Sequence, residues 1–394
     1  MSYHCECEQC KNKEFNPEDY IIKEEDFKVL DKERPLGISG HLRVKDEAMS
    51  IAECIDSCID ALDELIITYN KSTDNTEEIL KEYKKKYPDK IRLYYYEPNI
   101  IKYNKDEYNT KYSKIHYLDN YYNFGYVKIK YRYYMKIDAD QVYFTKKLLD
   151  IREALLIDIN DKRNIDTKIL SFIKIDKIAW YIPIKKLRNT FRSYFIKKIF
   201  NKDIIPEMFA YEYLFSFKEL IIYNRIRRIN DFTLVLGGLN TIINNNALLL
   251  YTDDFIFNGC VGDHNIWKPD SKYNYVMDTS TNVEVINIMK LPIDIGFCWI
   301  HFGFIKRKIN PMSNLHIDIV EVKDISWQDI KHIIESIHVD THEQKLSNNV
   351  YLRFGDKYFD IDKKYVTKEF YDRYLKKPLE YAIKNQYNFI KRLW

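Results

Sequence analysis

The sequence has no long apolar run, and its longer ones, such as residues 247–251, cover little more than one helical turn. A helix that spans a bilayer needs about 20 consecutive apolar residues, so no segment is predicted to cross a membrane. The first residues also lack the apolar stretch of a secretory signal. We therefore expect a cytoplasmic protein, with any membrane contact peripheral and on the inner membrane face.

A marked excess of charge of one sign is absent as well. The net charge is +3 although 31% of the residues are charged, whereas domains that bind nucleic acids concentrate basic residues. We therefore expect no nucleic-acid partner. The hydrophobic content of 46% is typical of globular proteins, and 394 residues can form one large domain with an appendage, or two domains.

Cysteine is sparse: the chain has 7, scattered along it except for Cys5, Cys7 and Cys10. An odd, scattered set is typical of a reduced protein rather than of a disulfide framework. With His4, the N-terminal cluster has enough ligands for one zinc ion, but its spacing is tighter than the usual structural pattern and no second pair of ligands follows nearby. The sequence therefore leaves a zinc site open and favours a flexible, reduced tail.

Strand and helix patterns alternate from residue 37 onward. Short apolar runs at 65–69, 91–96 and 133–137 predict buried strands. Apolar residues at helical spacing over 46–62 and 76–83 predict amphipathic helices. This alternation is typical of an α/β fold with a parallel sheet and right-handed crossovers.

Three polar clusters directly follow predicted strands, at residues 46–47, 70–74 and 138–140. Ligands of α/β sheets bind at the carboxyl ends of the strands, so the clusters predict one site. In the last cluster, Asp138 and Asp140 leave a buried strand with one residue between them and can hold a hard divalent cation through oxygen atoms. Such a cation would bridge a diphosphate and neutralise the charge of a departing nucleoside diphosphate.

The same segments resemble the family 2-type glycosyltransferases, and most closely the bacterial enzymes that build capsular or lipopolysaccharide glycans. The likeness lies in Arg-Val-Lys-Asp-Glu at 43–47, in the strand and Ser-Thr-Asp turn within 65–80, and in Met-Lys-Ile-Asp-Ala-Asp-Gln at 135–141, and it covers about 36–145. It implies a Rossmann-like A-type glycosyltransferase fold, which is α/β with a mostly parallel central sheet. It also implies an inverting transfer from a nucleotide-sugar donor, a UDP-sugar, to a glycan or lipid-linked glycan acceptor, with Mn²⁺ or Mg²⁺ as cofactor.

The resemblance implies donor-binding roles at positions that match the family's motifs. Asp74 ends the characteristic turn and would contact the nucleoside or shape its pocket, although it is equally suited to capping the next helix. Asn70 stands where the family commonly has Asp, and its amide can still donate and accept hydrogen bonds. The remaining donor-binding candidates are Arg43, Lys45, Glu47 and Asp138. The two basic residues among them would approach the donor phosphates or merely be solvated at the strand end.

An inverting transfer needs a base that takes the proton of the acceptor hydroxyl. The family places this base well after the metal motif, and the matching segment here is Gly-Asp-His at 262–264. Asp263 is therefore the candidate base. Asp253 and Asp254 are rivals, and a surface role for Asp263 stays open.

Several A-type enzymes also bring a late histidine back to the metal. The resemblance therefore suggests His301, within the aromatic segment 296–303, as a third metal ligand beside Asp138 and Asp140. A histidine among aromatic residues is slightly more often a core residue with satisfied hydrogen bonds, and that interpretation stays open.

We expect an N-terminal arm over residues 1–35 and a glycosyltransferase domain over 36–310, with a nucleotide-sugar part at 36–145 and an acceptor part at 146–310. A helical, basic C-terminal extension is expected over 311–394. Its lysines and arginines interleave with aromatic residues, as in helices that lie on anionic membranes. A helix packed on the catalytic domain, with a solvated basic face, explains this pattern slightly better.

Two other functions fit parts of the pattern. A sugar-nucleotide pyrophosphorylase shares the sheet architecture but needs a Gly-rich phosphate loop after the first strand, and the glycines at 37 and 40 lie before that strand ends. A non-catalytic membrane-binding or glycan-binding protein with degenerate acids is the other alternative. Metal-dependent hydrolysis of a donor would separate an enzyme from such a binding protein.

Overall fold

The computed structural model describes residues 4–156 continuously, together with 232–244, 247–252, 263–279, 282–287, 291–302 and 365–385. The shorter described pieces are residues 178, 181–184, 187–188, 190–191, 194, 256–257, 260–261, 320–321, 326–328, 330–331 and 352–353. For the described residues between 232 and 264, and for 291–297, 320–321 and 352–353, the description covers the backbone alone.

The strands and helices are numbered in chain order. The strands are β1 (Ile38–Val44), β2 (Glu64–Tyr69), β3 (Ile91–Tyr95), β4 (Tyr133–Asp138), β5 (Gln141–Tyr143), β6 (Phe232–Asn244), β7 (Ala247–Thr252), β8 (Ile256–Phe257), β9 (Cys260–Val261), β10 (Asp263–Trp267), β11 (Tyr275–Met277), β12 (Glu284–Ile286), β13 (Leu291–His301), β14 (Val320–Glu321) and β15 (Leu352–Arg353). The helices are α1 (Glu8–Lys11), α2 (Ile51–Cys58), α3 (Thr76–Lys86), α4 (Leu118–Tyr126), α5 (Thr145–Leu156), α6 (Lys368–Phe370) and α7 (Lys376–Asn385). A π-helical turn (Tyr371–Leu375) joins α6 to α7, and 3-10 turns cover Pro17–Asp19, Glu24–Asp31, Ile59–Ala61 and Lys114–His116.

Four parallel strands form the part of the sheet that carries the predicted site. β1 lies between β2 and β4 and is parallel to both, and β3 extends the sheet beyond β2, also in parallel. α2 connects β1 to β2 and α3 connects β2 to β3, as the alternating sequence pattern predicts. The predicted α/β class is confirmed.

Beyond β4 the strand direction changes. β10 is antiparallel to both β4 and β6, and β7 pairs with β6 in antiparallel. β13 lies beside β6 in parallel, and its last residues pair with the short strand β5. Two short strands from the predicted C-terminal extension, β14 and β15, join the same sheet, which contains 11 of the described strands.

The two faces of the sheet are covered by layers of different composition. On one face, aliphatic side chains of α2, α3 and α5 pack against the strands, and Leu65 and Ile67 of β2 point into this layer. On the other face, Ile66 points into a layer in which aromatic side chains predominate, among them Tyr121 and Tyr126 of α4. β2 is therefore buried on both sides, which explains its continuous apolar run.

The described part of the predicted N-terminal arm lies on the aromatic layer. The 3-10 turn Glu24–Asp31 buries Phe27 and Leu30 there. The N–H of Ile22 also donates a hydrogen bond to Oδ1 of Asn120 in α4 at 3.1 Å. These contacts hold the arm against the domain.

The helical segment α6–α7 packs against α2 and the start of α5. The ring centroids of Phe370 and Phe144 are 5.5 Å apart, and Tyr374 is buried. Nζ of Lys377 lies 3.2 Å from the carboxylate of Glu53 in α2. The apolar face of this segment thus contacts the domain, as in the packed-helix alternative. Within the part of the chain that the structure describes, no helix combines the length and hydropathy needed to cross a bilayer.

Candidate donor and metal site

The carboxyl ends of β1 and β4 place Arg43 beside Asp138, opposite it in the parallel register. Nη2 of Arg43 donates a hydrogen bond to Oδ1 of Asp138 at 2.9 Å, and Nζ of Lys136 lies 3.4 Å from Oδ2. Lys136 and Asp138 are two residues apart on one strand, so their side chains leave the same face of the sheet. Two cations therefore hold the two oxygens of this carboxylate.

The charge state of Asp138 follows from these neighbours. Burial acts to raise the pKa of the carboxyl, but Lys136, Arg43 and His301 together bring that pKa well below its ordinary value. Asp138 is therefore ionised at every physiological pH.

Three side chains of this cluster have no role predicted from the sequence. Besides Lys136, these are Tyr122, whose ring centroid lies 3.4 Å from the guanidinium carbon of Arg43, and Glu284, 3.9 Å from Nη2 of Arg43. Lys136 has a sequence signal, because it is a lysine in an otherwise apolar strand at two-residue spacing from Asp138. Tyr122 and Glu284 come from α4 and β12, and nothing in their local sequence marks them.

β5 and β13 place Asp140 against His301. The chain turns between β4 and β5, and Gln141 at the start of β5 stands opposite His301 at the end of β13. Nε2 of His301 lies 3.2 Å from Oδ1 of Asp140, and the N–H of Phe302 donates to the backbone oxygen of Asp140 at 2.7 Å. Two residues that the resemblance suggests as metal ligands, and that are far apart in sequence, are therefore neighbours in the fold.

The chemistry of these side chains fits a divalent cation. Asp140 and Asp138 offer carboxylate oxygens and His301 an imidazole nitrogen, and the three side chains are 13%, 23% and 20% exposed, so they are sheltered but reach solvent. The oxygens of Asp138 contact Arg43 and Lys136 instead of converging with the other two ligands. Asp140 and His301 are therefore the pair that fits a metal in the present arrangement.

Two aspartates tie the turn after β1 to the turn after β2. Asp46, which has a positive φ of 54°, accepts hydrogen bonds from the N–H and the hydroxyl of Thr73 at 2.5 and 3.0 Å. Asp74 accepts from the N–H of Ala48 at 3.2 Å and from the N–H of Thr76, the first residue of α3, at 3.0 Å. Asp74 thus closes the start of α3 and joins both turns, and its contact with a donor stays a prediction.

The other predicted donor-binding residues of the strand ends have different surroundings. Asn70 is buried, and its Nδ2 donates to the carbonyl oxygens of Tyr96 and Pro98 at 2.7 and 3.1 Å, so its amide hydrogens stabilise the loop after β3. Lys45 is exposed at the end of β1, and Glu47 is half-buried in the turn that follows. Contact of these three residues with a donor also stays a prediction.

Asp263, the candidate base, is the first residue of β10. β10 is antiparallel to β4, with Ile266 opposite Met135, so its first residue lies at the same edge of the sheet as Asp138. The rival acids Asp253 and Asp254 lie outside the described residues. The backbone therefore brings residue 263 towards the site, and its role as a base stays a prediction.

Residues 18–153 match the family model described as Beta-1,4-N-acetylgalactosaminyltransferase (CgtA). No curated protein matches the chain. Among solved structures, glucosyl-3-phosphoglycerate synthase from Mycobacterium tuberculosis, in complex with Mn²⁺, uridine diphosphate and glucosyl-3-phosphoglycerate, matches at 18% identity with a TM-score of 0.22, over 34% of this chain and 44% of that one. TarS from S. aureus matches at 14% identity with a TM-score of 0.18, over 27% of this chain and 17% of that one.

The chain spans less than half the length of these two solved structures. The family match has more weight, because it includes all four parallel strands and the Asp138-Ala139-Asp140 motif. Over residues 18–153 this chain is thus similar to a family of glycosyltransferases, which confirms for that part of the chain the resemblance predicted from its sequence.

Proposed function

We propose that this chain is a metal-dependent glycosyltransferase that moves a sugar from a nucleotide-sugar donor to a hydroxyl of a glycan acceptor. The proposal rests on one arrangement at the carboxyl ends of β1 and β4: an ionised Asp138 between two cations, next to the pair Asp140 and His301. A nucleotide-sugar carries an anionic diphosphate, which needs compensating positive charge at its site. Arg43 and Lys136 supply part of it.

We propose Asp140 and His301 as ligands of the metal, which as a Lewis acid would neutralise charge on the leaving diphosphate. The imidazole favours Mn²⁺ over Mg²⁺, because Mg²⁺ is bound mainly by oxygen ligands and water. Arg43 and Lys136 would hold the carboxylate of Asp138 ionised and in one orientation. Asp138 would therefore contribute a constant negative charge to the same site.

In an inverting transfer, the acceptor oxygen forms a bond to the anomeric carbon while the bond from that carbon to the diphosphate oxygen breaks. The electron pair of the broken bond leaves with the diphosphate, and the acceptor proton passes to a base. We propose Asp263 as this base, because β10 places it at the edge of the sheet where Asp138 lies. A product with the anomeric configuration of the donor would remove the need for this role.

The donor that we propose is a UDP-sugar. The description of the matched family makes UDP-N-acetylgalactosamine the first donor to test. The acceptor that we propose is a glycan or a lipid-linked glycan in the synthesis of a bacterial surface polysaccharide, with the protein on the cytoplasmic side. The exposed lysines of α7 could then face an anionic membrane while its apolar face stays on the domain.

The test is release of UDP from UDP-sugars, measured with and without acceptor sugars, in the presence of Mn²⁺ or of EDTA. Wild-type protein should release UDP only with the metal. Asp140→Asn and His301→Ala should each lower kcat/KM by about 100-fold or more, because each removes a proposed ligand. Asp89→Asn changes an exposed acid in the turn before β3 and should leave activity unchanged.

Three outcomes would contradict the proposal. Full activity of Asp140→Asn at saturating donor would remove the metal role of that carboxylate. Binding of UDP-sugars without release of UDP, for every donor and acceptor pair, would favour a binding protein. Formation of a UDP-sugar from UTP and a sugar phosphate would favour a pyrophosphorylase.

A further inference from the structure

Three cysteines of the N-terminal arm meet a histidine from a distant part of the chain. The ligand atoms of Cys5, Cys7, Cys10 and His116 all lie within 4.8 Å of one another. Nε2 of His116 is 3.0 Å from Sγ of Cys7 and 3.3 Å from Sγ of Cys10. Within the part of the chain that the structure describes, this is the one group of three or more such ligands close enough to share an ion. It is separate from the donor site and has no part in the function proposed above.

We propose that these four side chains bind one zinc ion in a closed structural site. Three thiolates and one imidazole form a standard tetrahedral donor set for zinc. With Zn–S bonds of about 2.3 Å and Zn–N bonds of about 2.05 Å, a tetrahedron separates two sulfurs by about 3.8 Å and a sulfur from the nitrogen by about 3.5 Å. The two observed sulfur–nitrogen separations, 3.0 and 3.3 Å, are shorter than the expected value by about 0.5 and 0.2 Å, and no two of the ligand atoms are more than 4.8 Å apart.

The histidine is oriented as a zinc ligand requires. Nδ1 of His116 lies 2.8 Å from the carbonyl oxygen of Asn99, and a carbonyl can only accept, so Nδ1 carries the proton. The lone pair of Nε2 therefore points towards the sulfurs. Zinc-binding histidines commonly donate their other N–H to a backbone carbonyl in this way.

Backbone N–H groups also point at the sulfurs. The N–H of Ser113 donates to Sγ of Cys5 at 3.4 Å, and the N–H of Cys10 donates to Sγ of Cys7 at 3.3 Å. Such hydrogen bonds stabilise negative charge on sulfur, which the thiolate form needs when it binds a metal. The thiols of the three cysteines are half-buried, and His116 is buried.

Hydrogen bonds of the residues between the cysteines also anchor the arm. The N–H of Glu6 donates to the carbonyl oxygen of Lys111 at 2.9 Å. Gln9 bridges the loop after β3, since its Nε2 donates to the carbonyl oxygen of Glu97 at 3.2 Å and its Oε1 accepts from the N–H of Asn99 at 2.7 Å. The cluster therefore does not depend on a chance approach of a free tail.

A zinc ion here would fasten the arm to the turn that precedes α4. His116 lies two residues before α4 begins, and α4 carries Tyr122, which lies under Arg43 of the donor site. The expected role is structural: zinc would hold the start of α4 in place without touching the donor. Loss of the zinc should lower the free energy of unfolding. The dependence of donor hydrolysis on the Mn²⁺ concentration should stay the same.

The test uses the full-length protein, expressed with zinc in the medium and measured for metal by mass spectrometry after gel filtration. About one zinc per chain is expected for a closed site. Cobalt added after removal of zinc should give the thiolate charge-transfer absorption and the visible bands of tetrahedral Co²⁺. Cys7→Ser should lower zinc affinity by more than about 100-fold, because it removes a ligand.

Matched variants distinguish this site from others. His4→Gln, next to the cluster but exposed, and Cys58→Ser, a buried thiol in α2, should keep their zinc. Asp140→Asn should keep it too. Wild-type protein without zinc and without the cobalt–thiolate band would overturn the proposal, whether or not Cys7→Ser folds. So would a disulfide among Cys5, Cys7 and Cys10 in the isolated protein, or zinc that is lost from Asp140→Asn and kept in Cys7→Ser.

Discussion

Gly125 lies near the end of α4, where alanine would ordinarily stabilise a helix by about 1 kcal/mol relative to glycine. The structure predicts the opposite effect, because a Cβ at residue 125 would stand 2.0 Å from Nε2 of His41. The His41 ring is 1% exposed and cannot swing into solvent. Its two nitrogens lie 3.0 Å from the hydroxyl of Tyr134 and 3.1 Å from that of Thr68, so any shift also disturbs two hydrogen bonds.

The size of the effect follows from these contacts. Overpacking of a well-filled core costs about 1–3 kcal/mol. Each disturbed hydrogen bond adds about 1 kcal/mol, and the better helix propensity of alanine offsets about 1 kcal/mol. Gly125→Ala should therefore lower the free energy of unfolding by about 2–4 kcal/mol, the net value of these terms.

The assay is a double-mutant cycle in thermal and urea unfolding, with His41→Ala as the second change. Once the ring is absent, Gly125→Ala should be neutral or stabilising. Glu82→Ala, on the exposed side of α3, reports the effect of alanine in a helix without a clash. A coupling between Gly125→Ala and His41→Ala below about 0.5 kcal/mol would refute the reasoning, since independent sites add within that margin.

Three further predictions concern pH, Arg43 and the C-terminus. Burial, and then the charge of Arg43, lowers the pKa of His41 from 6.5 to about 3. The contribution of the neutral His41 to the free energy of unfolding is therefore fully present above pH 6.5 and is lost as the pH drops towards 3, with a loss of about 2 kcal/mol at pH 5. His41→Gln should flatten this part of the pH profile of the thermal midpoint. Arg43→Lys keeps the charge but loses the planar contact with Tyr122, and should cost about 1–2 kcal/mol of stability; a variant as stable as wild type would contradict the stacking. The protein should sediment with anionic vesicles at low salt and less at high salt. Deletion of residues 386–394, which lie outside the described residues, measures how much of this vesicle binding depends on them. No binding at low salt would contradict the membrane hypothesis.

The strands and the position of the site could be predicted because they follow from local patterns. The apolar runs at 65–69 and 133–137 became β2 and β4, and the acids that follow β4 lie at the predicted edge of the sheet. The helix predicted over 46–62 is shorter, since α2 begins at Ile51. The residues before it form a turn whose N–H groups bond to the turn after β2, and such long-range competition leaves no periodic signal.

The contacts between segments that are distant in the chain could not be predicted from the sequence. Glu284 reaches Arg43 from β12, and no motif surrounds it. In the sequence, His4 supplies the fourth ligand of the zinc site that is left open, and no second pair of ligands follows nearby, whereas the fold brings His116 to Cys10 across 106 positions. His301 became a candidate through the resemblance alone, and its meeting with Asp140 depends on the pairing of β5 with β13, which local patterns do not specify.

The two acids of the Asp138-Ala139-Asp140 motif have different partners, and this argues for different roles. Binding of a dication at Asp138 has to compete with Arg43 and Lys136, which hold its two oxygens. Binding at Asp140 is supported by its neighbour His301, whose imidazole nitrogen is itself a candidate metal ligand. Asp140→Asn should therefore weaken Mn²⁺ binding more than Asp138→Asn, as measured by titration calorimetry. Asp138→Asn should instead lower the thermal midpoint, because it leaves two sheltered cations without their carboxylate. The reverse order of the two effects would assign the metal to Asp138.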